Sequence, residues 1–220
     1  MTRKAVSARD AIKLLVLIPH RDISGVMLSV KQELFREGLA GAWSFPPLVP
    51  LAVLARRCEK AEIKELALKL RSMLGNEKIT GAAWTKSAFP QGAAYTGAAV
   101  PDAKVPDAAP LPALWGIRLD MPLPASIVEG KKNALPFDSP VLVSALLRRS
   151  ADAPRQRPLP EGISFRAAAL AAMLLTPLDD APKNNAPRDD FMDRENESLS
   201  FAWELDEPVW LPNPKRRGRD

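Results

Sequence analysis

The chain has 220 residues, of which 46% are apolar and 26% charged, and carries a formal net charge of +5 with one cysteine, Cys58. That length suits a single domain with its own buried core. One cysteine excludes an internal disulfide and any cysteine-based metal cluster, and no apolar run approaches the roughly 18 residues of a membrane span. Arg3 and Lys4 precede an apolar run, Leu14 to Ile18, that is too short for a secretory signal, so a soluble, cytoplasmic protein without a membrane partner is expected.

"IKLLVLIP", from Ile12 to Pro19, is a continuous apolar run of strand length that Pro19 ends. Asp22 is placed to cap a following helix, in which Ile23, Val26, Met27, Val30 and Leu34 recur at helical spacing until Gly38. "FPPLVPLAVLARR", Phe45 to Arg57, reads as a second buried strand. From Glu59 to Leu74 one apolar face (Ile63, Leu66, Ala67, Leu70, Met73, Leu74) predicts a helix stopped by Gly75. Ile79 to Phe89 and Ala113 to Met121 read as strands flanking an Ala/Gly/Pro-rich loop, and Ser139 to Arg149 as a further buried strand. The alanines of "ISFRAAALAAMLL" suit a short packed helix, and Phe201, Trp203 and Leu205 alternate as a closing strand. The 22 prolines, about twice the usual share of roughly 5%, predict long irregular connections. The organisation expected is a tail at 1–11, one bilobal domain over 12–212 with loops near 90–112, 150–162 and 179–198, and a basic tail, "KRRGRD", within 213–220.

The order of these phrases resembles the two-histidine phosphoesterases, the superfamily of bacterial RNA ligases and cyclic phosphodiesterases. "SFPPLVPLAVL" is similar to that family's first motif strand, "SAFP" with "LWGIRL" to its paired middle strands, "FDSPVLVSALLRR" to its second motif strand, and "ISFRAAALAAMLLTPL" to the segment after it. The resemblance implies an α/β (α+β) fold of two antiparallel-sheet lobes with outer helices, in which two His-x-Thr or His-x-Ser motifs face a cleft and supply a base and an acid to a cyclic phosphodiester. The matching positions here are Pro50 and Ala52, then Val141 and Val143, and neither strand contains a histidine. General acid–base catalysis contributes roughly 10² to 10⁴ in rate per positioned group, and neither proline nor valine transfers a proton. The resemblance therefore implies a catalytically silent relative that acts by binding RNA, a nucleotide or a protein.

The chain's own polar residues leave two alternatives. His20, Lys86, Arg118 and Arg148 are the candidate ligand-binding side chains: a titratable imidazole at the end of the first strand, and cations on strands bordering the expected cleft. A hydrolase rebuilt around His20, Lys86 or the acidic pairs Asp179–Asp180 and Asp189–Asp190 is one alternative, and a structural partner in a complex is the other. Against a site, His20 beside the Asp22 cap needs only a local hydrogen bond, and alternating polar residues suit a half-solvated sheet. The acidic pairs lack organised ligand spacing, so neither a metal nor a cofactor is expected. The five tryptophans could stack on bases, but packing is expected for at least three of them.

Overall fold

The computed structural model describes residues 11–55, 58–75, 77–91, 113–132, 134–147, 157–177 and 201–211. Their elements run β1 (Ile12–Pro19), α1 (Ser24–Arg36), β2 (Val49–Leu54), α2 (Lys60–Leu74), β3 (Ile79–Ser87), β4 (Ala113–Asp120), α3 (Pro124–Ile127), β5 (Ala134–Pro136), β6 (Val141–Leu147), β7 (Ser164–Phe165), β8 (Ala167–Pro177), β9 (Phe201–Leu205) and β10 (Val209–Trp210). They form an α+β fold with two antiparallel sheets. One has the order β10-β8-β1-β2-β5, with β9 also on β8, and the other has the order β6-β4-β3-β7. Among the described residues no helix is long and apolar enough to cross a membrane.

β1 is apolar except for the half-buried Lys13, because both of its faces are covered. Leu15 and Leu17 pack with Ile63, Leu66 and Leu70 of α2 and with Ile79, Ile117 and Leu142 of the second sheet. Leu14 and Val16 point the other way, into a cluster with Phe45, Phe89, Phe137, Val143 and Met173. A third cluster, Val30 and Leu34 against Trp115, Ala145 and Leu147, seats α1 on the second sheet. α2 begins with a capping box between Glu59 and Glu62 and ends at Gly75, whose φ is +56°.

The structure corrects three expectations. "ISFRAAALAAMLL" is not a helix: β7 and β8 occupy it, and β8 pairs with β1 from Ile12↔Leu175 to Pro19↔Ala167. Alanine's helix propensity is a weak preference, and a run buried on both faces has no periodicity to separate helix from strand. Here the open edge of β1 takes the segment as its partner. Asp22 does not cap α1, whose N-cap is Ile23 without a side-chain bond; its carboxylate binds His20 instead. Trp84 and Trp115 stack with their centroids 4.3 Å apart, whereas Trp43, edge-on to Phe35 at 6.4 Å, and Trp203 and Trp210 are exposed, so fewer than three tryptophans are in the core. The expected loops near 90–112, 150–162 and 179–198 fall mostly, and the terminal tails almost wholly, outside the described residues.

β4 approaches β6 so closely that a Cβ at Gly116 would lie 2.1 Å from the Leu142 carbonyl oxygen. The obstacle is backbone and cannot swing aside, so Gly116→Ala should cost at least about 2 kcal/mol, visible as a lower urea midpoint with an unchanged slope.

Candidate functional site

Two places compete for a functional role: the junction of β2 and β6, and a pocket at the end of β1. At the junction the Val143 N–H of β6 donates over 3.0 Å to the carbonyl of Leu48, the residue just before β2. The two strands read from sequence as motif strands therefore meet, although they belong to different sheets. Pro50, Ala52, Val141 and Val143 are all buried.

The register adds a second obstacle to acid–base chemistry there. A His-x-Thr pair needs both side chains on one face of its strand, which alternation supplies at positions i and i+2. In β2 the pairing slips, with Val16 opposite Pro50 and Leu15 opposite Ala52, so Leu51 forms a bulge. Pro50 thus shares the face of Val16, while Ala52 packs with Leu15 and α2 on the opposite face. The bulge also accommodates a proline within a paired strand. On β6, Val141 and Val143 do share a face, opposite Arg118 and Gly116 of β4.

The cations expected to line one cleft are separated. Arg118 lies on the face of Val141 and Val143, exposed and without a side-chain partner among the described residues. Lys86 pairs with Trp115 and so projects from the other face of the same sheet. Arg148 and both acidic pairs fall outside the described residues, among which no group of three or more His, Cys, Asp or Glu side chains could hold a metal.

His20 lines a pocket of about 600 Å³. Its position is set by backbone: its N–H donates to the Arg166 carbonyl over 2.8 Å, and its own carbonyl accepts from Ile23 over 3.2 Å. Nδ1 lies 2.8 Å from the Asp22 carboxylate, which holds the proton on Nδ1 and leaves Nε2 as the acceptor of the neutral ring. Arg166, where the chain passes from β7 in one sheet to β8 in the other, forms a second wall with Ser164. The end of α2 and the residues after it supply Arg71, Glu77 and Lys78. Trp210 closes the fourth side on a strand pinned by the bond from the Leu211 N–H to the Ala168 carbonyl at 2.9 Å. The indole is 69% exposed.

Comparison of the chain with protein-family models, with curated proteins and with solved structures returned no match. The pocket therefore rests on its own geometry. Sequence reasoning missed Arg71, Lys78, Ser164 and Arg166, because they converge only once β8 is paired with β1 and β10 with β8. In the sequence Trp210 is only one of five possible stacking surfaces.

Proposed function

We propose that this chain is a binding protein built like the two-histidine phosphoesterases but without their acid–base chemistry, and that its ligand is RNA or a nucleotide. The observation that carries this reading is the hydrogen-bonded meeting of β2 and β6, with hydrocarbon at all four positions where the resemblance calls for imidazole and hydroxyl groups. Two absent proton-transfer groups remove roughly 10⁴ to 10⁸ in rate together if their contributions multiply.

A second reading, a rebuilt hydrolase, is favoured by the 2.8 Å contact that orients His20 beside the pocket. Carboxylate orientation of an imidazole is the arrangement a general base uses. The two readings part in one assay, with RNA ending in a 2',3'-cyclic phosphate supplied to the full chain and to His20→Ala. Binding without turnover is the expected result. Turnover that vanishes in His20→Ala would establish the hydrolase instead, and turnover that survives the substitution would overturn both readings.

A further inference from the structure

We infer that the ligand is held in the pocket between β1, α2, the β7–β8 crossing and β10, away from the strand junction, and that it is recognised as a nucleoside monophosphate, free or at the end of an RNA strand. The inference rests on the reading of a nucleotide- or RNA-binding protein, and adds to it a place and a chemical class.

Lys78 and Arg166 line the pocket from separate elements, and neither side chain has a hydrogen-bond or ion-pair partner among the described residues. Several other cations of this chain do find carboxylates: Arg157 reaches Glu33 and Glu37, Lys60 reaches Glu207, and Lys131 reaches Glu65, whereas Arg118, like Lys78 and Arg166, has no such partner among the described residues. With Arg71, three cations line the pocket against the two carboxylates of Asp22 and Glu77, an excess of positive charge that suits an oxyanion, and a guanidinium can grip phosphate with two parallel hydrogen bonds.

The acidic groups on the same walls set the size of that anion. Asp22 and Glu77 line the pocket with the cations, and α2 directs its C-terminal, partially negative end toward this side. A polyphosphate chain would meet those carboxylates, whereas one phosphate between Arg166 and Lys78 does not need to. Asp22 is already engaged with His20, which leaves Glu77 as the main repulsive group.

Trp210 supplies the second half of the recognition. A tryptophan left 69% exposed on a two-residue strand presents a broad apolar face to water. The backbone beside it is anchored by the bond from the Leu211 N–H to the Ala168 carbonyl. Any base can stack on it, with a contribution of roughly 1–3 kcal/mol. The pocket's volume of about 600 Å³ accommodates a ligand with both a phosphate and a base.

The test is titration of the full chain with a nucleoside monophosphate, with inorganic phosphate, and with short RNAs carrying or lacking a terminal phosphate. It is followed by calorimetry and tryptophan fluorescence at fixed salt. Arg166→Gln and Trp210→Ala alter exposed side chains, and their thermal melts confirm folding. Losing the guanidinium should weaken nucleoside monophosphate and inorganic phosphate alike, by about tenfold or more. Trp210→Ala should weaken the nucleotide by about fivefold or more and leave inorganic phosphate unchanged. A nucleoside triphosphate should bind no better than the monophosphate. RNA that competes only when it bears a terminal phosphate would place the nucleotide at a strand end; RNA that never competes would make it the free mononucleotide.

Replacing Lys215, Arg216, Arg217 and Arg219 with glutamine in the full chain should leave mononucleotide binding intact. If that change abolishes binding while Arg166→Gln does not, the pocket is the wrong site. Nucleotide binding indifferent to both pocket variants would likewise overturn the pocket while leaving a nucleotide-binding protein standing. Absence of binding by every RNA and nucleotide probe would overturn both.

Discussion

Replacing Lys31 with methionine should destabilise the protein by about 3 kcal/mol, the sum of several buried carbonyls left without donors at about 1–3 kcal/mol each and offset by relief of a buried charge. Lys31 is 3% exposed. Its Nζ donates to the carbonyls of Ala42 at 2.7 Å, Phe45 at 2.8 Å and Ser144 at 2.9 Å. Ala42 and Phe45 lead into β2, and Ser144 is the bulged residue of β6, so one ammonium draws both strands of the junction onto α1. For a chain of this size the loss corresponds to a fall in Tm of roughly 10 °C. An unchanged Tm would mean that the junction is held without this group.

The same side chain gives stability a pH dependence of known sign. Burial pushes the Lys31 ammonium down to about 7 from 10.5, while the three carbonyl acceptors oppose the shift. Above about pH 7 the folded protein releases this proton and the unfolded chain, at 10.5, keeps it. Unfolding then takes up a proton, so stability should rise with pH by at most about 1.4 kcal/mol per unit. Cys58 acts in the opposite sense at higher pH. Burial first, then Glu62, raises its thiol to about 11 from 9.0, so between those values the unfolded chain loses a proton that the folded one retains. The clean window is therefore pH 7 to 9, where urea midpoints should climb in the natural protein and stay flat in Lys31→Met. A flat profile in both would show that the carbonyls keep the ammonium charged throughout.

The second large effect concerns restoring the residues that the resemblance expects. Placing histidines at Pro50 and Val141, and threonines at Ala52 and Val143, should yield no turnover of a cyclic phosphate and should cost stability. Val141 is 1% exposed, and an imidazole there brings polar atoms into hydrocarbon as well as extra volume. Val141→His alone should cost about 3–5 kcal/mol, read from urea denaturation. Position 52 would still face away from position 50, because the bulge at Leu51 belongs to the β1–β2 pairing and not to the side chains replaced. A gain in turnover of about 10² or more in the fourfold variant would show that the bulge relaxes and that the strands retain a catalytic geometry.

Much of the framework was legible because local signals and burial agreed. Ile12–Pro19 is a strand with the predicted bounds, since an apolar run closed by proline leaves little choice. α2 spans Lys60–Leu74 behind Glu59, since its apolar stripe, its capping box and Gly75 all specify one helix. Lys31 carried a readable signal too: it falls among Met27, Val30 and Leu34 on the buried stripe of α1, where a charge requires fixed partners.

By itself, then, the sequence determined the strands and helices with clear periodicity or punctuation, the mixture of both in one chain, and the absence of imidazole from the two apolar segments. Tertiary structure alone decided that an alanine-rich segment became β8, because a free edge of β1 outweighs a propensity of a few tenths of a kcal/mol per residue. It likewise decided that Ala52 turns away from Pro50, since register depends on how two distant segments pair. And it brought His20, Lys78, Arg166 and Trp210 around one pocket, because residues far apart in the chain become neighbours only when sheet order and helix docking are set.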